Sequence, residues 1–174
     1  MDVDQFWDII SEACQSDPRS SEEWAGRLQT VLVKYEPNDI VEWNRIFDRF
    51  AANAYTTDLI AACCLINTGA GSDGFYYFRC WLIGMGREVY DSAVANADTL
   101  ADRFHPGLTA QGIDAEAEIY AAAHKAWIAV TGKSYEDDYP ARDERTELQG
   151  ESWDTEDDAE VRRRLPRLAA MFLD

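Results

Sequence analysis

Arg79 stands alone as a charge in the segment from Gly74 to Met85, whose other residues are apolar or aromatic on most helical faces. Taking a guanidinium out of water without a partner costs several kcal/mol, so this residue needs either a carboxylate or a ligand. Asp58, Asp73, Glu88 and Asp91 lie in the same stretch, and Arg87 adds a second cation beyond Gly84 and Gly86. Two chemistries fit these residues. In one, a buried ion-pair network fixes how the central helices pack. In the other, Arg79 and the backbone N–H groups after Asp73 meet an anion at the start of a helix, while Tyr76 or Trp81 stacks on the ligand. The candidate ligand-binding residues are therefore Asp73, Tyr76, Arg79, Trp81, Arg87 and Glu88.

Other constellations carry less. The carboxylate pairs Asp137 with Asp138 and Asp157 with Asp158 are neighbours in a charge-rich stretch, without the central glycine and terminal glutamate of an EF-hand loop. They read as solvated surface. His105 and His124 are the two histidines, and neither has a second His or a Cys at zinc-ligand spacing. Ser72 sits in GSDG and not in a nucleophile elbow, and Gly69 to Gly71 is too short and wrongly flanked for a dinucleotide loop. Cys14, Cys63, Cys64 and Cys80 fall inside apolar helical patterns with no CxxC spacing, which predicts buried, reduced thiols and a cytoplasmic protein. No residue receives a catalytic role, and no metal or cofactor is expected.

The elements that position these residues are helices. Asp2 or Asp4 opens a first helix with Phe6, Ile10 and Ala13 on its inner face, ending before Pro18. Ser20 to Glu23 reads as a capping box for a second helix, with Trp24, Leu28, Val31 and Tyr35 buried and Pro37 to Asp39 at its end. A third follows from Ile40, its stripe of Ile40, Trp43, Phe47, Phe50 and Ala54 stepping by three or four throughout. Leu59 to Ile66 has no polar face and predicts a central helix. Ser72 or Asp73 caps the next, which carries Phe75, Phe78, Leu82 and Met85 and breaks at Gly86 before Arg87 to Ala97 resumes. Asp114 caps a later helix that buries Tyr120, Ala123, Trp127 and Val130 and ends at Gly132. No alternating strand pattern occurs, so the fold class is all-α, built around two apolar central helices.

A chain of 174 residues with 47% apolar and 12% aromatic residues suits one domain with a real core. The expected organisation is a helical core over 1–135, an acidic, loop-rich excursion over 136–160, and a C-terminal helical segment over 161–174 packed on the core. The formal net charge is −17. A negative field of that size disfavours nucleic acid and anionic membrane surfaces, and no apolar run approaches the length of a spanning helix. Such a charge either serves solubility alone or steers in a basic partner, a cation or a cationic ligand. Over 136–160, 12 acidic residues face only Arg142 and Arg145, a net of −10. This excursion holds Trp153, a candidate partner-binding anchor or else a pin that fastens the excursion to the core. Arg162, Arg163, Arg164 and Arg167 follow, and the acidic stretch is expected to fold back on them.

The run LINTGAGSDGFYYFRCWLIGMGREVYDSA, from Leu65 to Ala93, closely resembles the central segment of the bacterial family known as domain of unknown function 4240. SDGF, FR-x-WLI and GRE-x-Y occur together at fixed offsets. The opening DVDQFWDII, the HKAWIAVTG helix, the GESWDTED segment and the closing RRRLPRLAAMF resemble their counterparts as well. One departure is the small, apolar filling of the loop from Gly69 to Ser72, where a more polar approach to Asp73 is expected. The resemblance implies a compact helical bacterial domain, sometimes joined to other modules, and brings no reaction, cofactor or catalytic residue with it. Residues and resemblance together point to a non-enzymatic partner-binding, ligand-binding or regulatory protein. The alternatives are an immunity-type protein that neutralises a basic partner, and an enzyme acting on a small cationic or amino-acid-like substrate around Asp73, Arg79 and Glu88.

Overall fold

The computed structural model describes residues 1–14, 21–104, 119–134, 139 and 147–173. Among them every element is helical, apart from one isolated bridge between Thr56 and Gln149. Helix α1 (Val3–Ala13) starts on a reciprocal cap, in which the Asp2 carboxylate accepts from Gln5 N and the Gln5 side chain accepts from Asp2 N. Its inner face buries Phe6, Trp7, Ile9, Ile10 and Ala13. In α2 (Ser21–Leu32) the expected Trp24, Leu28 and Val31 are buried, and Tyr35 beyond its end is half-buried.

Helix α3 is Pro37–Asn53, longer at its start than periodicity alone predicts. Pro37 does not close α2 but opens α3 at the first helical position, where its fixed φ is preorganised and its missing N–H costs nothing. Ile40, Trp43, Phe47 and Ala54 are fully buried as the spacing requires. Helix α4 (Thr57–Ile66) is capped by the Thr56 hydroxyl and buries Leu59, Ala61, Ala62, Cys63 and Ile66, while Ile60, Cys64 and Leu65 are half-buried. Thr68 ends this segment at φ 54°, an unusual left-handed backbone for a β-branched residue, and Gly69 follows at φ 105°.

Helix α5 (Ser72–Gly84) is capped by Gly71 rather than by Ser72 or Asp73, which lie one and two residues inside the helix. It touches α2, α3, α4, α6 (Arg87–Ala95) and α7 (Ile119–Thr131), which explains why so few of its faces are polar. Gly86, at φ 89°, separates α5 from α6. Gly84 is a close-approach position, because a Cβ there would sit 2.6 Å from two Trp24 ring atoms and 3.0 Å from Ile119. Ala93 and Tyr90 of α6 are buried, and a 3-10 helix, Ala97–Arg103, follows.

Helix α7 lies against α2 and α3 and ends at Gly132, whose φ of 66° and N–H bond to Ile128 O (2.8 Å) make it the terminating glycine. Val130 is exposed, since the last turn of α7 runs past the core, so burial there stops at Trp127. The expectations for Pro18, Ser20, His105, Asp114, Asp137 and Asp138 lie outside the described residues. The chain closes with α8 (Asp158–Arg164) and α9 (Pro166–Phe172). The side chain of Asp98, 5% exposed, accepts from Arg167 N (3.0 Å) and Leu168 N (2.9 Å) and so caps α9 from a distant part of the chain.

Candidate functional site

Helix α3 ends with backbone carbonyls that no helical N–H can satisfy. The N–H of Tyr55 turns to Ala52 O (3.0 Å), and Arg79 Nη1 of α5 donates to Ala51 O at 2.7 Å. One residue earlier, Phe50 O, which already accepts from Ala54 N (3.1 Å), accepts a second bond from the Tyr90 hydroxyl of α6 at 2.7 Å. Burial pushes the Tyr90 phenol above its ordinary range, so this donor keeps its proton. Arg79 thus brings a cation to the negative end of the α3 dipole. Its guanidinium carbon also sits 4.9 Å from the Tyr55 ring centroid, 5.0 Å from Phe75 and 5.4 Å from Tyr76, within cation–π range of all three.

None of Asp58, Asp73, Glu88 and Asp91 forms an ion pair with Arg79. Among the described residues no carboxylate lies within ion-pair distance of it, and its buried Nε has no hydrogen-bond partner. Asp58 instead accepts from the Trp153 indole N–H at 2.7 Å, and Asp91 lies 3.6 Å from Arg87. Burial pulls the Arg79 pKa down, although a guanidinium remains charged at neutral pH.

The six candidate ligand-binding residues separate into three places. Tyr76 and Arg79 are together and half-buried, and Asp73 is exposed in the first turn of the same helix. Trp81 has no exposed surface and packs on Phe78 and Phe104, so no face of it is open to a ligand. Arg87 and Glu88 are exposed at the start of α6.

Trp153 is half-buried, with its N–H on Asp58 and its ring under Arg164 at 5.0 Å. Arg164 itself reaches Glu151 (3.0 Å) and Glu160 (3.2 Å), so this part of the acidic segment does fold back on the arginines. Hydrogen bonds from Arg163 and Arg164 hold the Glu160 carboxyl down, to about 2.

A second place, of which sequence reasoning found only Arg87, is a cleft of about 700 Å³ between α1 and the α5–α6 junction. Trp7, Ile10, Cys14 and Met85 make its apolar lining, and Asp4, Asp8, Ser11 and Arg87 its polar one. Arg87 Nη1 meets Asp4 at 2.7 Å across the mouth. The available signal was the spacing of Asp4, Asp8 and Glu12, which share one side of a helix.

Burial pushes the Cys14 and Cys63 thiols up to about 12, which keeps them protonated at neutral pH. His124 is half-buried with its ring 4.7 Å from that of Tyr139. Among the described residues no group of three or more His, Cys, Asp or Glu side chains is placed to hold a metal ion, and no helix is long and apolar enough to cross a membrane.

This is an all-helical protein with a strongly acidic surface. A family model described as Protein of unknown function (DUF4240) matches residues 1–128, and the chain belongs to that family. Comparison with curated proteins and with solved structures found no match.

Proposed function

We propose that this chain is a non-enzymatic cytoplasmic binding protein that engages a basic protein partner. The supporting observation is its uncompensated negative charge. The 33 Asp and Glu residues outnumber the 16 Lys and Arg residues, which leaves a net charge of −17 even with every cation counted, and Arg27, Lys34, Arg45, Arg87, Arg163, Arg164 and Arg167 are already engaged with carboxylates of the same chain. Such a field steers an oppositely charged partner and repels nucleic acid and anionic lipid. An immunity-type role, in which a basic partner is neutralised, is the narrower form of the same reading. Free thiols at all four cysteines suit a reducing compartment. The test is affinity capture with the full chain in native lysate at low and moderate salt, followed by reconstitution with the purified partner. A stoichiometric, basic partner that is released as salt rises supports the reading. Recovery of no stoichiometric partner at either salt rejects it.

A second reading has one specific observation in its favour. The Arg79 cation lacks a carboxylate among the described residues, and its Nε lacks an acceptor, so a carboxylate or phosphate group of a small ligand would complete it. That reading requires saturable binding of such an anion, abolished by Arg79→Met.

A further inference from the structure

The cleft beside α1 combines three properties. Its floor is apolar, with Trp7 6% exposed and Met85 half-buried beneath the opening. One of its carboxylates is already neutralised, because Asp4 is held by Arg87 at 2.7 Å. Asp8, one turn further along the same face, is exposed and has no ion pair among the described residues. Glu12, a turn beyond, is spent on Lys34 at 3.3 Å. The acidic stripe of α1 is therefore closed at both ends by the chain's own cations and open at its middle, directly over an apolar trough.

We propose that this cleft docks a lysine- or arginine-bearing segment of the protein partner, with the cationic end on Asp8 and the alkyl stem across Trp7 and Met85. The proposal rests on the reading that the partner is basic, and adds where and how it is met. Charge complementarity selects the occupant. An acidic segment meets a carboxylate over a molecule of net charge −17, and a purely apolar segment leaves Asp8 desolvated without a partner. A long basic side chain satisfies both requirements, since its methylenes cover apolar surface while its charged end stays at the polar rim. Arg87 sets the register, because it repels a second cation from the Asp4 end and leaves Asp8 as the one attractive position.

The experiment is a titration of the ¹⁵N-labelled full chain with an acetylated, amidated pentapeptide of alternating leucine and lysine, followed by amide chemical shifts. The proposal expects saturable shifts concentrated in residues 4–11 and 84–88, and none with the same peptide carrying glutamine for lysine. Asp8→Asn, at an exposed position that leaves the fold intact, weakens binding about threefold, the size expected for one rim ion pair. Glu156→Gln, which removes the same charge away from the cleft, leaves it unchanged. Arg87→Gln releases Asp4 and tightens binding. Shifts centred on another acidic face, or equal effects of Asp8→Asn and Glu156→Gln, overturn the docking site and leave the basic partner standing. A peptide that does not bind saturably also overturns the docking site. The basic partner is then decided by the capture experiment, where recovery independent of Asp8 retains it and no recovery removes it.

Discussion

Replacing Arg79 by methionine keeps an unbranched side chain among Tyr55, Phe75 and Tyr76 but removes the charge and every donor. The lost hydrogen bond to Ala51 O is charge-assisted and contributes about 1.5–3 kcal/mol. Cation–π contacts at a half-exposed site contribute about 0.5–1 kcal/mol. Against these, methionine regains about 0.3–1.5 kcal/mol from sulfur–aromatic contact, and the cost of desolvating a cation disappears. The expected net loss is about 2 kcal/mol, or about 4–8 °C in melting temperature for a chain of this size. Its pH dependence separates the two explanations of Arg79. A depressed arginine pKa imposes a cost that is present at all pH below the folded-state pKa and is relieved only as pH rises through it. A backbone carbonyl does not titrate. The difference between wild type and Arg79→Met, measured by urea unfolding, is therefore flat between about pH 5 and 8. A buried carboxylate partner predicts otherwise: a loss of about 3–5 kcal/mol on removing the cation, shrinking as acid protonates the carboxylate. Either result would refute the assignment of Arg79 to the end of α3.

Further outcomes follow from the same geometry. Gly84→Ala drives a methyl group into the Trp24 ring and destabilises the protein by about 1–3 kcal/mol in urea unfolding, despite alanine's better helix propensity. Thr68→Gly relieves a left-handed β-branched residue and raises stability by about 0.5–1 kcal/mol in the same assay. Asp98→Ala strips α9 of its only described side-chain cap and costs about 2 kcal/mol, with faster amide exchange in residues 167–172. The carboxyl resonance of Glu160 titrates near pH 2 rather than near its ordinary 4.5, so the stabilisation from Arg163 and Arg164 is complete above pH 4.5 and is lost as pH falls through about 2.

Much of this arrangement is legible from residue spacing. The stripe from Ile40 to Ala54 and the inner face of α1 follow from helical periodicity, because burial on one face leaves a repeating signature. Pro37 is harder, since proline both stops the helix before it and starts the one after it, and only the structure shows which role it takes. The oddity of Arg79 is visible in the sequence, yet its partner is not. Ala51 contributes a backbone carbonyl, and every residue has one, so no side-chain pattern marks the acceptor. The same holds for Trp81, whose lack of exposure depends on Phe104 from another element. The cleft was hidden for a different reason: Asp4 and Arg87 are 83 residues apart, and a carboxylate every fourth position on a helix ordinarily means a solvated face.

These assignments divide labour between two places. Arg79 and Tyr90 finish α3 and fix the central helices, while the cleft against α1 meets the partner. Capture of the basic partner by wild type, Arg79→Met and Asp8→Asn, side by side and each shown to be folded, tests that division most directly. The account predicts that Arg79→Met recovers the partner as well as wild type and that Asp8→Asn recovers it about threefold less tightly. Loss of the partner in Arg79→Met with retention in Asp8→Asn would contradict it and move the binding site to the aromatic cage of α5.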